Sequence, residues 1–168
     1  MKNRTPASTH KKVVIVLLDR NSAKGYLNPA RLGQGEVVDL LTLDGEHQAI
    51  QWKDVKCVYF VREFKDPFEP ERKTFLSRPK LDGLWVRLQF RDEDVIEGIV
   101  SNNLLELLDT GVQLTPPDLH GNAVRVFIPR TALAEMKVLG VVGVARRSPR
   151  ATRGIRAVVE AQSKLFSE

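Results

Sequence analysis

Two stretches of this chain carry the same pattern, residues 14–61 and residues 86–139. Each opens with an alternating strand that ends in Asp, VIVLLD (14–19) and VRLQFRD (86–92). Each places a Gly six positions after that Asp, at Gly25 and Gly98. Each closes on a segment that aligns without a gap, AIQWKDVKCVYFV (49–61) against FIPRTALAEMKVL (127–139). Internal similarity of this kind means one small structural unit used twice. The chain is therefore expected to be two copies of a small β module.

The turn and strand signals are the same in both copies. In the first, RNSAKG (20–25) is a turn and NPARLGQGE (28–36) a loop, because Pro and Gly punctuate them. VVDLLTL (37–43) and HQAIQW (47–52) are strands joined at Asp44-Gly45, where Gly tolerates the positive φ of a tight turn. Residues 52–54 form a one-turn corner, and VKCVYFV (55–61) is the fifth strand. In the second copy LWVRLQF, VIEGIV, LLELLDTGVQL, VRVFI and EMKVLGVV supply the strands. TPPDLHGNA (115–123) is a hairpin loop, since paired Pro cannot donate to a ladder. Residues 132–136 fit a helical turn as well as a strand.

The expected boundaries follow. Residues 1–12 form a mobile arm, 13–64 the first module, 65–83 a linker, 84–143 the second module and 144–168 a basic tail with an amphipathic helix. The linker holds Phe64, Phe68, Phe75 and Leu76 at or near its start and middle, which is too apolar for a free tether. It is expected to pack on the modules. In the tail, Ile155, Val158, Val159 and Leu165 or Phe166 fall at helical spacing, with Ser148 or Thr152 as candidate caps.

Charge separates the modules from their flanks. The net charge is +5, but residues 13–141 carry 16 Lys plus Arg against 19 Asp plus Glu, or −3. The flanking 39 residues hold ten basic and two acidic residues, or +8. A nucleic-acid-binding barrel carries its own positive surface, so any polyanion contact is assigned to the tails. Cys57 is the only cysteine, which fits a reducing compartment. The apolar run VVIVLL is too short for a membrane span of about 20 residues or for a secretory signal core. A cytoplasmic protein with no membrane contact is expected.

Five short strands, a Gly in the second and a corner before the last describe a small barrel of the SH3 or Sm kind. Each module resembles the first Sm motif over VIVLLDRNSAKGYL (14–27) and VRLQFRDEDVIEGIV (86–100). Sm proteins continue with an Asp and an Asn that hold a base, followed later by an Arg-Gly pair. This chain has NPARLGQGEVV and SNNLLELL at the first place and lacks the pair within either module. The resemblance implies the fold and little about RNA. Residues 13–140 also resemble an uncharacterised family of small Sm-like bacterial domains, which implies no activity.

Candidate chemistry is sparse. His10, His47 and His120 have no ligand at metal spacing. The run Asp92, Glu93, Asp94, with Glu97 nearby, sits at an expected hairpin tip and is expected to be solvated. Cys57 lies in an apolar strand and is expected to be a buried structural thiol. Trp52 and Trp85 are expected to be buried between the modules. Phosphate-loop, nucleophile-elbow and zinc-protease signatures are absent.

The concentrated charge is Arg146, Arg147, Arg150, Arg153 and Arg156, within eleven residues. These arginines are the candidate contacts to RNA, DNA or another anion. Arg146 and Arg150 also form an RxxxR that resembles the cyclic dinucleotide clamp of PilZ domains. There the motif precedes the barrel and a DxSxxG follows; here the order is reversed. The leading expectation is an all-β, non-enzymatic binding or scaffolding module: a tandem pair of five-stranded SH3/Sm-like barrels with a short C-terminal helix. It needs no cofactor and no metal, and its partner is a protein. Nucleic-acid binding through the basic tails is the first alternative and PilZ-like nucleotide sensing the second.

Overall fold

In a computed structural model the described residues are 7–70, 72–107 and 110–143. They form ten strands and no α-helix. The strands are β1 (Lys11–Leu17), β2 (Ser22–Leu27), β3 (Val37–Thr42), β4 (His47–Gln51), β5 (Val55–Val61), β6 (Gly83–Phe90), β7 (Val95–Val100), β8 (Gly111–Leu114), β9 (Ala123–Pro129) and β10 (Leu133–Val142). Single 3₁₀ turns at Trp52–Asp54 and Arg130–Ala132 make the corners before β5 and β10. The ambiguous stretch after residue 131 is thus strand from Leu133 onward. The expected helix of the tail lies outside the described residues, and β1 starts at Lys11, inside the expected arm.

One sheet has the order β4-β3-β2-β1-β5-β9-β8 and the other β10-β6-β7. A bridge between Ile99 and Thr115 joins β7 to the residue after β8, with N···O distances of 3.0 and 2.9 Å. The same pairings occur in both halves. Val13 faces Gly25 and Val86 faces Gly98. Leu17 faces Val55 and Phe90 faces Leu133, each beside a bulge. Leu18 N–H donates to Asp54 O as Arg91 N–H does to Ala132 O.

The Asp of each first turn has a defined task. Asp19 accepts from Asn21 N–H at 2.9 Å, and Asp92 accepts from Asp94 N–H at 3.2 Å. These short-range bonds stabilise the turn. They accompany left-handed backbone at Arg20 (φ 72°) and Glu93 (φ 69°). The recurrent Gly answers a close approach. A Cβ on Gly25 would strike the Leu41 carbonyl oxygen, and one on Gly98 would lie 2.5 Å from Leu114 Cδ1 and 2.9 Å from Thr115 O.

Two apolar cores flank the central strands. One gathers Val14, Cys57, Tyr59 and Val61 with Val86, Leu88, Phe90, Ile96, Val126 and Ile128. The other gathers Val13, Ile15, Leu40, Trp52, Val58 and Phe60 with Phe127. Each core therefore takes side chains from both halves. This corrects the reading of residues 14–19 as an alternating strand: Val13, Val14 and Ile15 are all fully buried, because β1 has a core on each face. A continuous apolar run is the pattern such a strand carries.

The linker packs, with one exception. Phe64 and Phe68 lie against the first of these cores, meeting Tyr26 and Tyr59 at ring distances of 5.6 and 5.0 Å. Phe75 meets Trp85 edge-on at 6.0 Å. Leu76 is exposed, contrary to expectation.

Candidate functional site

The halves join where β5 pairs with β9. Val58 faces Phe127, Tyr59 faces Val126 and Phe60 faces Arg125. Phe127 enters the first-half core and meets Trp52 edge-on at 5.5 Å. At the end of the ladder the Asn122 side chain accepts from Glu63 N–H and donates to Glu63 O, both at 2.9 Å. Every strand residue of β5 except Lys56 is buried as a result.

In the second half β10 holds the place that β5 holds in the first, and it has no strand on its outer edge among the described residues. Val138 and Val141 are 55% and 64% exposed, whereas Val58 and Phe60 of β5 are 0% and 5% exposed. Met136 and Leu139 are also exposed. Beside β10 runs a groove of about 540 Å³, lined by Arg91, Leu104, Leu107, Val112, Leu133 and Met136. Arg78 Nη2 donates to the Val141 carbonyl at 2.7 Å and closes the far end of the strand. In the other sheet β4 is likewise an edge among the described residues, exposing His47, Gln48, Ala49 and Gln51.

A second feature lies between β5 and the β6–β7 turn. A cleft of about 200 Å³ has Val16, Cys57, Tyr59, Phe68, Phe90 and Ile96 on its apolar walls. At its rim Lys56 Nζ contacts Asp92 Oδ2 at 2.5 Å and Asp94 Oδ2 at 3.0 Å, over the Phe90 ring. Lys73 reaches both Asp94 oxygens at 2.8 Å. Burial raises the cost of charging Asp94, but the hydrogen bonds from Lys73 and Lys56 outweigh it and hold the carboxyl down at about 2. Burial likewise opposes the Lys56 charge, and the two carboxylates more than offset it, so its ammonium titrates above the usual value. Asp92 is lowered chiefly by its hydrogen bond from Lys56. Arg20, also on the rim, has no acidic partner among the described residues.

These groups do not fit proton-transfer chemistry near neutral pH. Burial pushes the Cys57 thiol up to about 12 and raises the Tyr59 hydroxyl as well. The cleft carboxylates stay ionised and the lysines stay paired. The expected solvated tip is thereby corrected: Asp92 and Asp94 are ion-paired, and Glu97 is 2% exposed. Glu97 Oε1 accepts from Arg87 Nε and Nη2 at 3.1 and 2.7 Å, and Oε2 accepts from Trp85 Nε1 and Phe75 N–H, both at 3.1 Å. Those bonds outweigh the burial that opposes its charge and keep Glu97 below the usual carboxylate range. Its role is to fasten the linker to β6 and β7.

The remaining sequence candidates fall as follows. Cys57 is buried as expected. Trp52 is buried at the junction of the halves, whereas Trp85 is half-buried against Phe75, away from that junction. His47 Nδ1 lies 2.9 Å from Asp39 Oδ1, a carboxylate contact that the spacing did not announce. Among the described residues no three His, Cys, Asp or Glu side chains converge to hold a metal ion. No helix among them is long and apolar enough to cross a membrane. Arg146, Arg147, Arg150, Arg153 and Arg156 lie outside the described residues. The open β10 edge was not among the sequence candidates, although EMKVLGVV carries its signal: apolar residues on both sides of single charges, with no Pro.

Fold and site together define an all-β protein whose described residues leave the β4 and β10 edges open and pair the cleft carboxylates with lysines. A family model matches residues 9–140, and the chain belongs to that family, DUF6982, a family of unknown function. The match runs from before β1 into β10, so the family's unit includes both halves. No curated protein and no solved structure matches the chain.

Proposed function

We propose that the chain is a non-enzymatic binding or scaffolding module. It is built from two five-stranded SH3/Sm-like barrels in tandem and uses the β10 edge to hold a protein partner. The tandem reading is supported by strand order: β5-β1-β2-β3-β4 in the first half corresponds to β10-β6-β7-β8-β9 in the second, with the Ile99–Thr115 bridge linking β7 to β8. The observation that carries the binding role is the ten-residue edge strand β10 with exposed Met136, Val138, Leu139 and Val141. Proteins blunt such edges with Pro, bulges or covering loops, because an open ladder recruits other strands. Here the edge carries a bulge between Val138 and Gly140 but no Pro, is long and apolar in part, and adjoins a groove, which suits strand addition by a partner chain.

A protein partner is favoured over nucleic acid at this surface. The stretch from residue 13 to 141 has a net charge of −3, and the two charges on β10 itself, Glu135 and Lys137, offset each other in an ion pair at 3.0 Å. The test compares the wild-type protein with a Val138→Lys/Val141→Lys variant as bait in extract from the native cell. The expected result is a protein held by the wild type and lost by the variant, with slowed amide exchange in β10 of the complex. Equal capture by both, or protection confined to other strands, would overturn the assignment.

A further inference from the structure

We infer that the segment added along β10 is an extended strand of a partner protein with apolar residues and an acidic side chain on one face, the acid being held by Arg91 and Arg130. This rests on the reading of β10 as a binding edge and names the chemistry of its occupant.

The free backbone of the edge fixes where that strand lies. Phe90 N–H donates to Asp94 O at 2.8 Å. Antiparallel ladders alternate, so Leu88 and Val86 also turn their backbone groups toward β7. Met136 and Val138 face those two residues across the β6–β10 ladder. Their own N–H and C=O groups therefore point away from β6, to the open edge. An added strand bonds there, and alternate residues of it share the face on which Met136 lines the groove.

The groove supplies the selectivity. Leu104, Leu107, Val112 and Leu133 line it together with Met136 and offer aliphatic contact. Arg91 and Arg130 line it too. They flank the corner from which β10 starts: Arg91 follows β6, and Arg130 opens the 3₁₀ turn. Neither guanidinium has a hydrogen-bond or ion-pair partner among the described residues. The carboxylate in the lining, Glu135, is already held by Lys137 at 3.0 Å. Two uncompensated guanidiniums beside an aliphatic wall suit a carboxylate carried on an apolar strand. Met136 lies four residues from Ala132, so the acid falls two or four positions from the residue opposite Met136.

The acid is an Asp or Glu side chain and not a chain end. Capture of a terminal carboxylate uses a nest of free backbone N–H groups. Here Arg91 N–H donates to Ala132 O at 3.0 Å and Arg130 N–H to Thr110 O at 2.9 Å, so both are occupied. Nucleic acid suits the groove poorly. It has no peptide backbone to extend the ladder, and the lining has no aromatic ring to stack a base.

A displayed library of random segments as long as β10, ten residues, selected on the full chain, tests this. The expected result is enrichment of alternating apolar residues with Asp or Glu toward one end. Selection on Arg91→Gln/Arg130→Gln should keep the alternation and lose the acid. Both arginines are exposed, so the variant keeps its fold. A labelled, C-terminally amidated peptide from the first selection should bind about two- to five-fold more weakly for each acid changed to its amide, the scale of an exposed ion pair, and should lose that difference on the double variant. Acid enrichment that survives the double variant, enrichment of Lys or Arg instead, or no enrichment would overturn the inference. Binding that requires a free peptide C-terminus, or competition by an oligonucleotide, would overturn it as well. If segments without acid enrich and are lost on Val138→Lys/Val141→Lys, the binding edge stands and only the chemistry of its occupant is wrong.

Discussion

Phe127→Ala should destabilise the half of the molecule to which Phe127 does not belong by sequence. The ring is fully buried, sits in the core formed by Val13, Ile15, Leu40, Val58 and Phe60, and meets Trp52 edge-on at 5.5 Å. Neighbouring backbone is close: a Cβ on Gly111 would lie 2.6 Å from Phe127 Cζ. Truncation removes the transfer free energy of the ring and leaves a cavity that the two flanking sheets cannot collapse into. A buried Phe→Ala change costs about 3–5 kcal/mol. Against a total stability of about 5–15 kcal/mol, that is a large fraction.

The chain has two tryptophans, one in each half, and they make the assay. With Trp85→Phe as background, Trp52 fluorescence reports the first half. With Trp52→Phe as background, Trp85 reports the second. Both backgrounds should unfold in urea with one midpoint and one slope, because the two cores are shared. Adding Phe127→Ala should move both midpoints to lower urea together, and should lower Tm by roughly 6–20 °C at about 2–4 °C per kcal/mol. A shift confined to the Trp85 reporter, or a loss below about 1 kcal/mol, would refute the shared core. Two separate transitions before any truncation would refute it as well.

Residues 1–66 expressed alone should be unstable or aggregate, since the fragment strips β9 from β5 and bares Cys57, Tyr59 and Val61; a cooperative melt matching the whole chain would contradict this. Stability should fall as pH drops: Asp94, Asp92 and Glu97 titrate below their unfolded values, so their contribution is complete above about pH 4 and is lost as pH falls through their lowered values, which for Asp94 is about 2. Asp94→Asn should flatten this acid limb by about 1–2 kcal/mol in denaturant titrations at pH 7 and pH 3, a figure reduced for the partial exposure of the pair. Cys57 should resist thiol reagents at pH 8 in the folded protein and react at once in denaturant, because burial holds the thiol up at about 12; rapid labelling of the native state would show an opening that the packing does not contain.

Local features were legible in the sequence because they depend on neighbours along the chain. The corners at Trp52–Asp54 and Arg130–Ala132, the turn at Asp44-Gly45 with φ 84° at Gly45, and the close approaches at Gly25 and Gly98 each rest on a few residues. The β5–β9 ladder does not. It joins residues about seventy apart, and nothing in AIQWKDVKCVYFV says which strand will lie beside it. Its trace was present in composition: VVIVLL and VKCVYFV are apolar without alternation, which marks strands covered on both faces. The charged cleft was hidden for the same reason. Asp94 lies 21 residues from Lys73 and 38 from Lys56, so the tip looks solvated until the linker and β5 are placed beside it.

The two halves differ most where the junction is made. At the inner junction the facing residues are Val58, Tyr59 and Phe60 against Phe127, Val126 and Arg125, and the Arg125 guanidinium lies over the Phe60 ring at 5.9 Å. At the outer edges the corresponding residues are Met136, Lys137 and Val138 on β10 and Ala49, Gln48 and His47 on β4. Had the outer edges kept Tyr, Phe and Val, they would recruit added strands as firmly as the two halves hold each other. Had they become wholly charged, no strand would add. The observed edges lie between these cases. β10 retains exposed apolar side chains beside the Glu135–Lys137 ion pair at 3.0 Å, and β4 is polar but uncharged at Gln48 and Gln51. Lys137 adds to this, because its charge discourages an apolar strand from adding. An edge of this composition offers an added strand less apolar area than the inner junction does, so the proposed binding role predicts a reversible contact.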